Sequence, residues 1–156
     1  MRPKIPQSLK LEHEELHSAL VEATKAGGKT AEAAKAVAKV LHPHFVKEEE
    51  IALPPTGLLA LLAKGKINRA MANILDTTDR LKRELPEMLR EHKTVVTALK
   101  KLTAAAKREK KSVHARFAEK LILHAKMEEE VLYPAAILVG EYLKLKLGDR
   151  RFRGYD

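Results

Sequence analysis

The chain has 156 residues, 30 Lys and Arg against 21 Asp and Glu for a formal charge of +9, and no cysteine. That length suits one domain, which buries roughly two thirds of its unfolded surface without covalent staples. The missing thiols exclude disulfides, iron–sulfur clusters, thiolate zinc sites and cysteine catalysis.

Ala, Leu, Lys and Glu dominate, all strong helix formers, and no run alternates like a strand. The first helix is predicted from about Ser8, a plausible N-cap, to Gly27-Gly28. The second runs from near Thr30 to just before Pro54-Pro55; Pro43 inside it lacks an N–H and should kink or loosen its turn. The third is centred on 86–108, because Pro86 disfavours helix just before it. The fourth runs from near Ser112 to about Tyr133, where Pro134 ends or kinks it. Short helical pieces follow the two proline sites, over 57–64 and 135–146. Residues 1–146 read as one bundle domain and 147–156 as a polar tail.

The chain repeats itself. His44-Phe-Val-Lys-Glu-Glu-Glu-Ile-Ala-Leu-Pro54 lies over His124-Ala-Lys-Met-Glu-Glu-Glu-Val-Leu-Tyr-Pro134 at an offset of 80, and Glu12-His13 over Glu91-His92 at 79. Matched His and Pro on both sides of the glutamate runs argue against chance. The reading is all-α: an up-down four-helix bundle built from a duplicated helical hairpin.

Helical phase, at about 100° per residue, sorts the histidines. His13 shares a stripe with Leu9, Leu16 and Leu20; His44 and Glu48 with Val37, Val40 and Ile51. His92 shares one with Met88, Leu89, Val95 and Leu99; His124 and Glu128 with Phe117, Leu121 and Val131. Buried carboxylates without partners are costly, so two of them among four inward histidines call for metal. Glu49, Glu50, Glu129 and Glu130 point away and read as surface charge. Imidazole and carboxylate suit iron, zinc, manganese or copper. Six ligands exceed one tetrahedral zinc and suit two ions bridged by both carboxylates, with room for a bridging oxygen and an exogenous ligand.

The two His-x-x-x-Glu-Glu-Glu blocks, each followed by proline, and the preceding Glu12-His13 and Glu91-His92 resemble the hemerythrin-like, or HHE, cation-binding family over roughly residues 8–140. The resemblance implies a four-helix bundle with two non-heme irons and an oxo or hydroxo bridge, manganese or zinc remaining open. It implies His13, His44, His92 and His124 as terminal ligands and Glu48 and Glu128 as bridges. Oxygen-carrying members have a fifth histidine on the third helix, in a His-x-x-x-His spacing. Here Met88 and Val96 flank His92 at that distance, and the fourth helix carries His-x-x-x-Glu in place of His-x-x-x-x-Asp. His17, one turn beyond His13, is the candidate substitute; His42 and His114 read as surface or packing residues.

The expected function is therefore a di-iron protein that binds or senses O2, peroxide or NO, or handles iron. It reads as a binding protein more than a turnover enzyme. The rival readings are a di-iron oxidase or peroxidase, and a basic nucleic-acid-binding protein with a structural metal. Ferritin-like oxidases use paired Glu-x-x-His motifs, and only Glu14-x-x-His17 has that spacing. Nucleic acid is disfavoured because aromatics are 4 %, which leaves few stacking platforms, and because the basic residues are scattered. No apolar run is long enough for a membrane, and the start, MRPKIPQSLKLEHEEL, reaches charge before any apolar run, unlike a signal peptide. With no cysteine present, a cytoplasmic location fits. No protein partner is implied.

Overall fold

A computed structural model describes residues 3–148. Among these the structure is helical, with no strand. Helix α1 spans Gln7–Thr24 and α2 spans Gly28–Ile51. Two short helices follow, α3 at Leu53–Thr56 and α4 at Leu59–Ala63, then a 3₁₀ turn at Arg69–Ile74 capped by the Asn68 side chain. Helix α5 runs Leu75–Arg108, α6 Ser112–Met127, and a π turn at Glu128–Leu132 leads directly into α7, Tyr133–Leu147. The polar tail read over 147–156 lies, from residue 149 on, outside the described residues.

The differences from the predicted elements have local causes. Helix α1 starts at Gln7 with Pro6 as N-cap, whose carbonyl accepts from Leu9 and Lys10. Helix α2 starts at Gly28, before Thr30, because Gly27 takes φ 75° and the first-turn N–H groups find a remote acceptor. The Glu109 carboxylate, at the end of α5, accepts from the Lys29 N–H, the Thr30 N–H and the Thr30 hydroxyl. Lys111 ties the same corner by donating to the Ala26 and Gly27 carbonyls. Helix α5 begins eleven residues before Pro86 and passes through it; the buried Leu75, Thr78 and Leu81 outweigh the local bias against helix before proline. Nor does Pro134 end the fourth helix. The π turn ahead of it pairs the Tyr133 N–H with the Glu128 carbonyl, and a proline without an N–H is tolerated at the first positions of the next helical stretch.

Helix α1 packs on α2, α2 on α5, α5 on α6, and α6 back on α1, while α7 lies against α5 and α3. The interior divides into layers. One apolar cluster holds Leu16, Leu20, Val37, Leu41, Phe45, Val95, Leu99, Phe117 and Leu121. A second holds Ile51, Leu53, Leu81, Met88, Leu132 and Tyr133. Burying each such large side chain contributes roughly 1.5–3 kcal/mol. The polar residues His13, His44, Glu48, His92, His124 and Glu128 fall where the stretches feeding the two clusters meet, with only Phe45 of the first cluster lying past His44, so they form one buried layer between apolar walls.

Candidate metal centre

Each long helix supplies this layer once or twice. His13 comes from α1, His44 and Glu48 from α2, His92 from α5, His124 from α6 and Glu128 from the π turn; all six are buried, Glu48 completely. The i,i+4 spacing puts His44 beside Glu48 and His124 beside Glu128 on one helix face.

The two carboxylates each face two ways. Glu48 presents Oε1 to His44 Nε2 at 2.7 Å and Oε2 to His13 Nε2 at 3.7 Å. Glu128 presents Oε1 to His92 Nε2 at 3.5 Å and Oε2 to His124 Nε2 at 3.4 Å and His13 Nε2 at 3.9 Å. The donors thus gather into two groups that share Glu128: His44, Glu48, His92 and Glu128, and His13, His124 and Glu128, with donor atoms within 4.8 Å of one another in each. Metal–donor bonds of about 2.0–2.2 Å put two donors on one ion no more than about 4.4 Å apart, so both groups need only small contraction to close on a cation.

Outside this ring every histidine has a carboxylate near Nδ1. Glu12 lies 2.5 Å from Nδ1 of His124 and Glu91 3.6 Å from Nδ1 of His44. Glu129 lies 3.0 Å from Nδ1 of His92 and Glu49 3.8 Å from Nδ1 of His13. Exchanging the two hairpins at the repeat offsets turns each pair into another of the four. A carboxylate on one imidazole nitrogen orients the ring and raises the basicity of the nitrogen that faces a metal. Glu49 and Glu129, which the helical phase assigned to surface charge, therefore belong to the centre's surroundings, although both reach solvent. Glu50 and Glu130 do pair at the surface, with Arg80 and Lys126.

Without a cation this layer is electrostatically poor. Both ring nitrogens of His13, Nδ1 of His44, Nε2 of His124, both oxygens of Glu48 and Oε2 of Glu128 are buried with no hydrogen-bond partner. Burial, and then the neighbouring His92, lowers the His44 pKa to about 4, so this ring is neutral at pH 7 with a lone pair to give. Burial, and then the charge of Glu128, pushes the Glu48 carboxyl well above its ordinary range. For Glu128 burial works the same way, but the neighbouring Glu48, His124, His13 and His92 outweigh it and hold its pKa well below the ordinary range. His124 is raised: burial opposes its charge, and Glu128 and Glu12 overcome that. The orphaned donors and the imidazole–carboxylate chemistry both fit a metal ion, which would neutralise the carboxylates and occupy the unpartnered lone pairs.

One residue of the centre escaped the sequence reading. The Tyr133 hydroxyl lies 3.2 Å from His44 Nε2 and 3.0 Å from His92 Nε2, and its ring is fully buried. Burial, then Glu48 and Glu128, drives its pKa far up, so it stays a phenol. At α-helical phase Tyr133 would sit ~140° from Glu128, off the inward stripe; the i→i+5 turn between them brings it back. Its counterpart in the first hairpin is the apolar Leu53.

The structure does not bring His17 to the centre. It is exposed, as is His42, while His114 is half-buried on α6. Met88 lies buried in the second apolar cluster. No helix of the described residues is long and apolar enough to cross a membrane. No known protein family, curated protein or solved structure matches the chain.

Proposed function

We propose that the chain is a hemerythrin-like, up-down four-helix bundle that holds two non-heme irons and binds or senses O2, peroxide or NO, or handles iron. The observation that carries this reading is the division of the carboxylate oxygens. One oxygen of Glu48 and one of Glu128 face the His44/His92 pair, and the other two face the His13/His124 side. A single four-coordinate ion leaves half of those donors unused; two ions bridged by both carboxylates use all of them. The up-down course is supported by the first apolar cluster, which takes residues after His13 and His92 and, apart from Phe45, before His44 and His124, as alternating helix directions require.

In this reading His44 and His92 with Tyr133 nearby hold one ion, and His13 and His124 the other. Reduced iron supplies an electron-rich position for a diatomic ligand or peroxide. The protein's own part is to orient four rings through Glu12, Glu49, Glu91 and Glu129, to bridge with Glu48 and Glu128, and to exclude water with the apolar clusters. The additional histidine of oxygen carriers has no equivalent in His17, so a further exogenous ligand position remains, which favours sensing, peroxide chemistry or iron handling over transport.

The test is metal analysis with an optical spectrum of the full chain purified from its native host, beside a Glu48→Ala variant. Two irons per chain are expected, with both lost together in the variant because the carboxylate serves both. One ion per chain, or a variant keeping full metal content, refutes the bridged pair.

A further inference from the structure

We propose that the groove between α1 and α2 is the path by which divalent cations reach the centre, with Glu14, His17 and His42 capturing them on the way; this rests on the two-metal reading above. The groove, about 510 Å³, is lined by these three residues together with His13, Phe45 and Glu49, among others. His13 is its deep end. That ring is 5 % exposed and neither of its nitrogens has a hydrogen-bond partner, so it belongs both to the buried layer and to the wall of a surface groove. Phe45 stacks on it at 4.4 Å between ring centroids, closing the floor with a single side chain.

Charge selects this groove over its neighbours. The chain carries a formal +9, and a cation approaching most of its surface is repelled. Among the described residues no Lys or Arg lines this groove, whereas two carboxylates and three imidazoles do. A second groove also ends at His13 and Glu49 and shares Glu14, but Lys4 and Lys10 line it as well and neither His17 nor His42 does. A third, by α2 and α5, sets Lys29, Lys101 and Arg108 against Glu32 and Glu109, and no residue of the centre lines it. A pocket lined by one sign of charge concentrates counter-ions and speeds their association.

The internal repeat supplies a control within the molecule. The counterparts of Glu14, His17 and His42 in the second hairpin are Lys93, Val96 and Ile122. The ligand residues recur in both hairpins; the groove residues do not. A purely structural need for them at the helix seam would act on both halves alike. Nor are they a resident metal site. Among the described residues, the donor groups close enough to hold an ion are the two at the centre, and neither includes Glu14, His17 or His42. Loose, exposed donors of the right chemistry bind weakly and release, as a transit position must.

The experiment loads metal-free full chain with Co(II), whose visible bands report occupancy of the centre, and follows the rate by stopped flow. The triple variant Glu14→Gln, His17→Ala, His42→Ala is expected to slow initial loading by about tenfold or more, with final stoichiometry and spectrum equal to wild type. Val46→Arg, which sets a positive charge on the groove wall, is expected to slow it likewise. Leu123→Arg, at a residue 67 % exposed and not among the groove's lining, is expected to leave the rate unchanged. Wild-type rates in both groove variants overturn the proposal, as does a triple variant with altered final stoichiometry or spectrum, which makes those residues ligands. A wild-type chain that takes up no Co(II) fails the two-metal reading itself, and this inference with it.

Discussion

Filling the centre should raise the unfolding midpoint by roughly 16–32 °C. In the metal-free layer five metal-facing atoms, Nε2 of His13 and His124, both oxygens of Glu48 and Oε2 of Glu128, are buried without a hydrogen-bond partner. Each costs about 1–3 kcal/mol, a gross penalty of roughly 5–15 kcal/mol, comparable with the whole net stability of about 5–15 kcal/mol of an ordinary domain. The two apolar clusters offset that penalty in the metal-free chain, and a bound cation removes it. An ion at a thousand times its dissociation constant stabilises by about 4.1 kcal/mol, and two ions each at that ratio by about 8 kcal/mol. In a chain of 156 residues, each kcal/mol moves the midpoint by roughly 2–4 °C. Differential scanning calorimetry of chelator-treated and Zn(II)-loaded protein measures the shift. The Glu48→Ala variant should show less than about a third of it, since one carboxylate bridges both positions. Equal midpoints for loaded and metal-free wild type refute the argument that the layer is built for cations. A full shift in Glu48→Ala refutes the bridge.

Two further outcomes follow from single side chains. Tyr133→Phe removes the oxygen shared by His44 and His92; it should lower metal-free stability by about 1 kcal/mol and alter the spectrum of the iron-loaded protein while metal content stays at two, and an unaltered spectrum shows the phenol to be a bystander. Glu109→Ala should lower the midpoint at neutral pH, because the three donors at the start of α2 lose their acceptor. Hydrogen bonds from the Thr30 side chain and backbone hold the Glu109 pKa down to about 2 from its ordinary 4.5. This depressed carboxylate stabilises the fold fully above its unfolded value and loses that contribution as pH falls through the folded one. Melts should therefore converge for wild type and variant between pH 4.5 and about 2; a gap that persists below that window assigns the effect to packing.

How much could be read from the residues depends on which helix a side chain acts upon. The six inward residues sit on the apolar stripe of their own helix, so phase along one helix finds them. Glu12, Glu49, Glu91 and Glu129 act on rings of neighbouring helices. Glu12 on α1 serves His124 on α6, and Glu91 on α5 serves His44 on α2. Phase on their own helices calls them off-stripe, which is true and misses the point. The signal that could have found them was in the repeat: each stands next to a candidate ligand in both hairpins. Helix boundaries failed for a similar reason. The start of α2 is capped by Glu109, 79 residues away from Thr30, and no local rule anticipates an acceptor supplied from the far end of another helix.

Tyr133 shows where the duplication has been broken. The candidate ligands, their carboxylate partners and the prolines Pro54 and Pro134 all match between hairpins. At the position before the proline the first hairpin has Leu53 and the second Tyr133. The first hairpin ends its helix at Ile51, whereas the second inserts a π turn and continues into α7. One extra residue in the turn rotates Tyr133 into the layer, and π turns commonly accompany such sites. The phenol lies on the His44/His92 side, and the groove with Phe45 opens on the His13 side. Two nearly symmetric donor sets therefore differ in what surrounds them. One side has an added oxygen within a buried apolar cluster; the other has a carboxylate- and imidazole-lined way out to solvent. In the two-metal reading, the ion held by His13 and His124 is the one that exogenous ligands meet. Ligand-induced spectral change should accordingly be sensitive to Phe45→Ala, which removes the ring stacked on His13, and much less so to Leu85→Ala, which trims a side chain packed against the second apolar cluster. Equal sensitivity of the two variants to added azide would show that the asymmetry of the surroundings does not govern access.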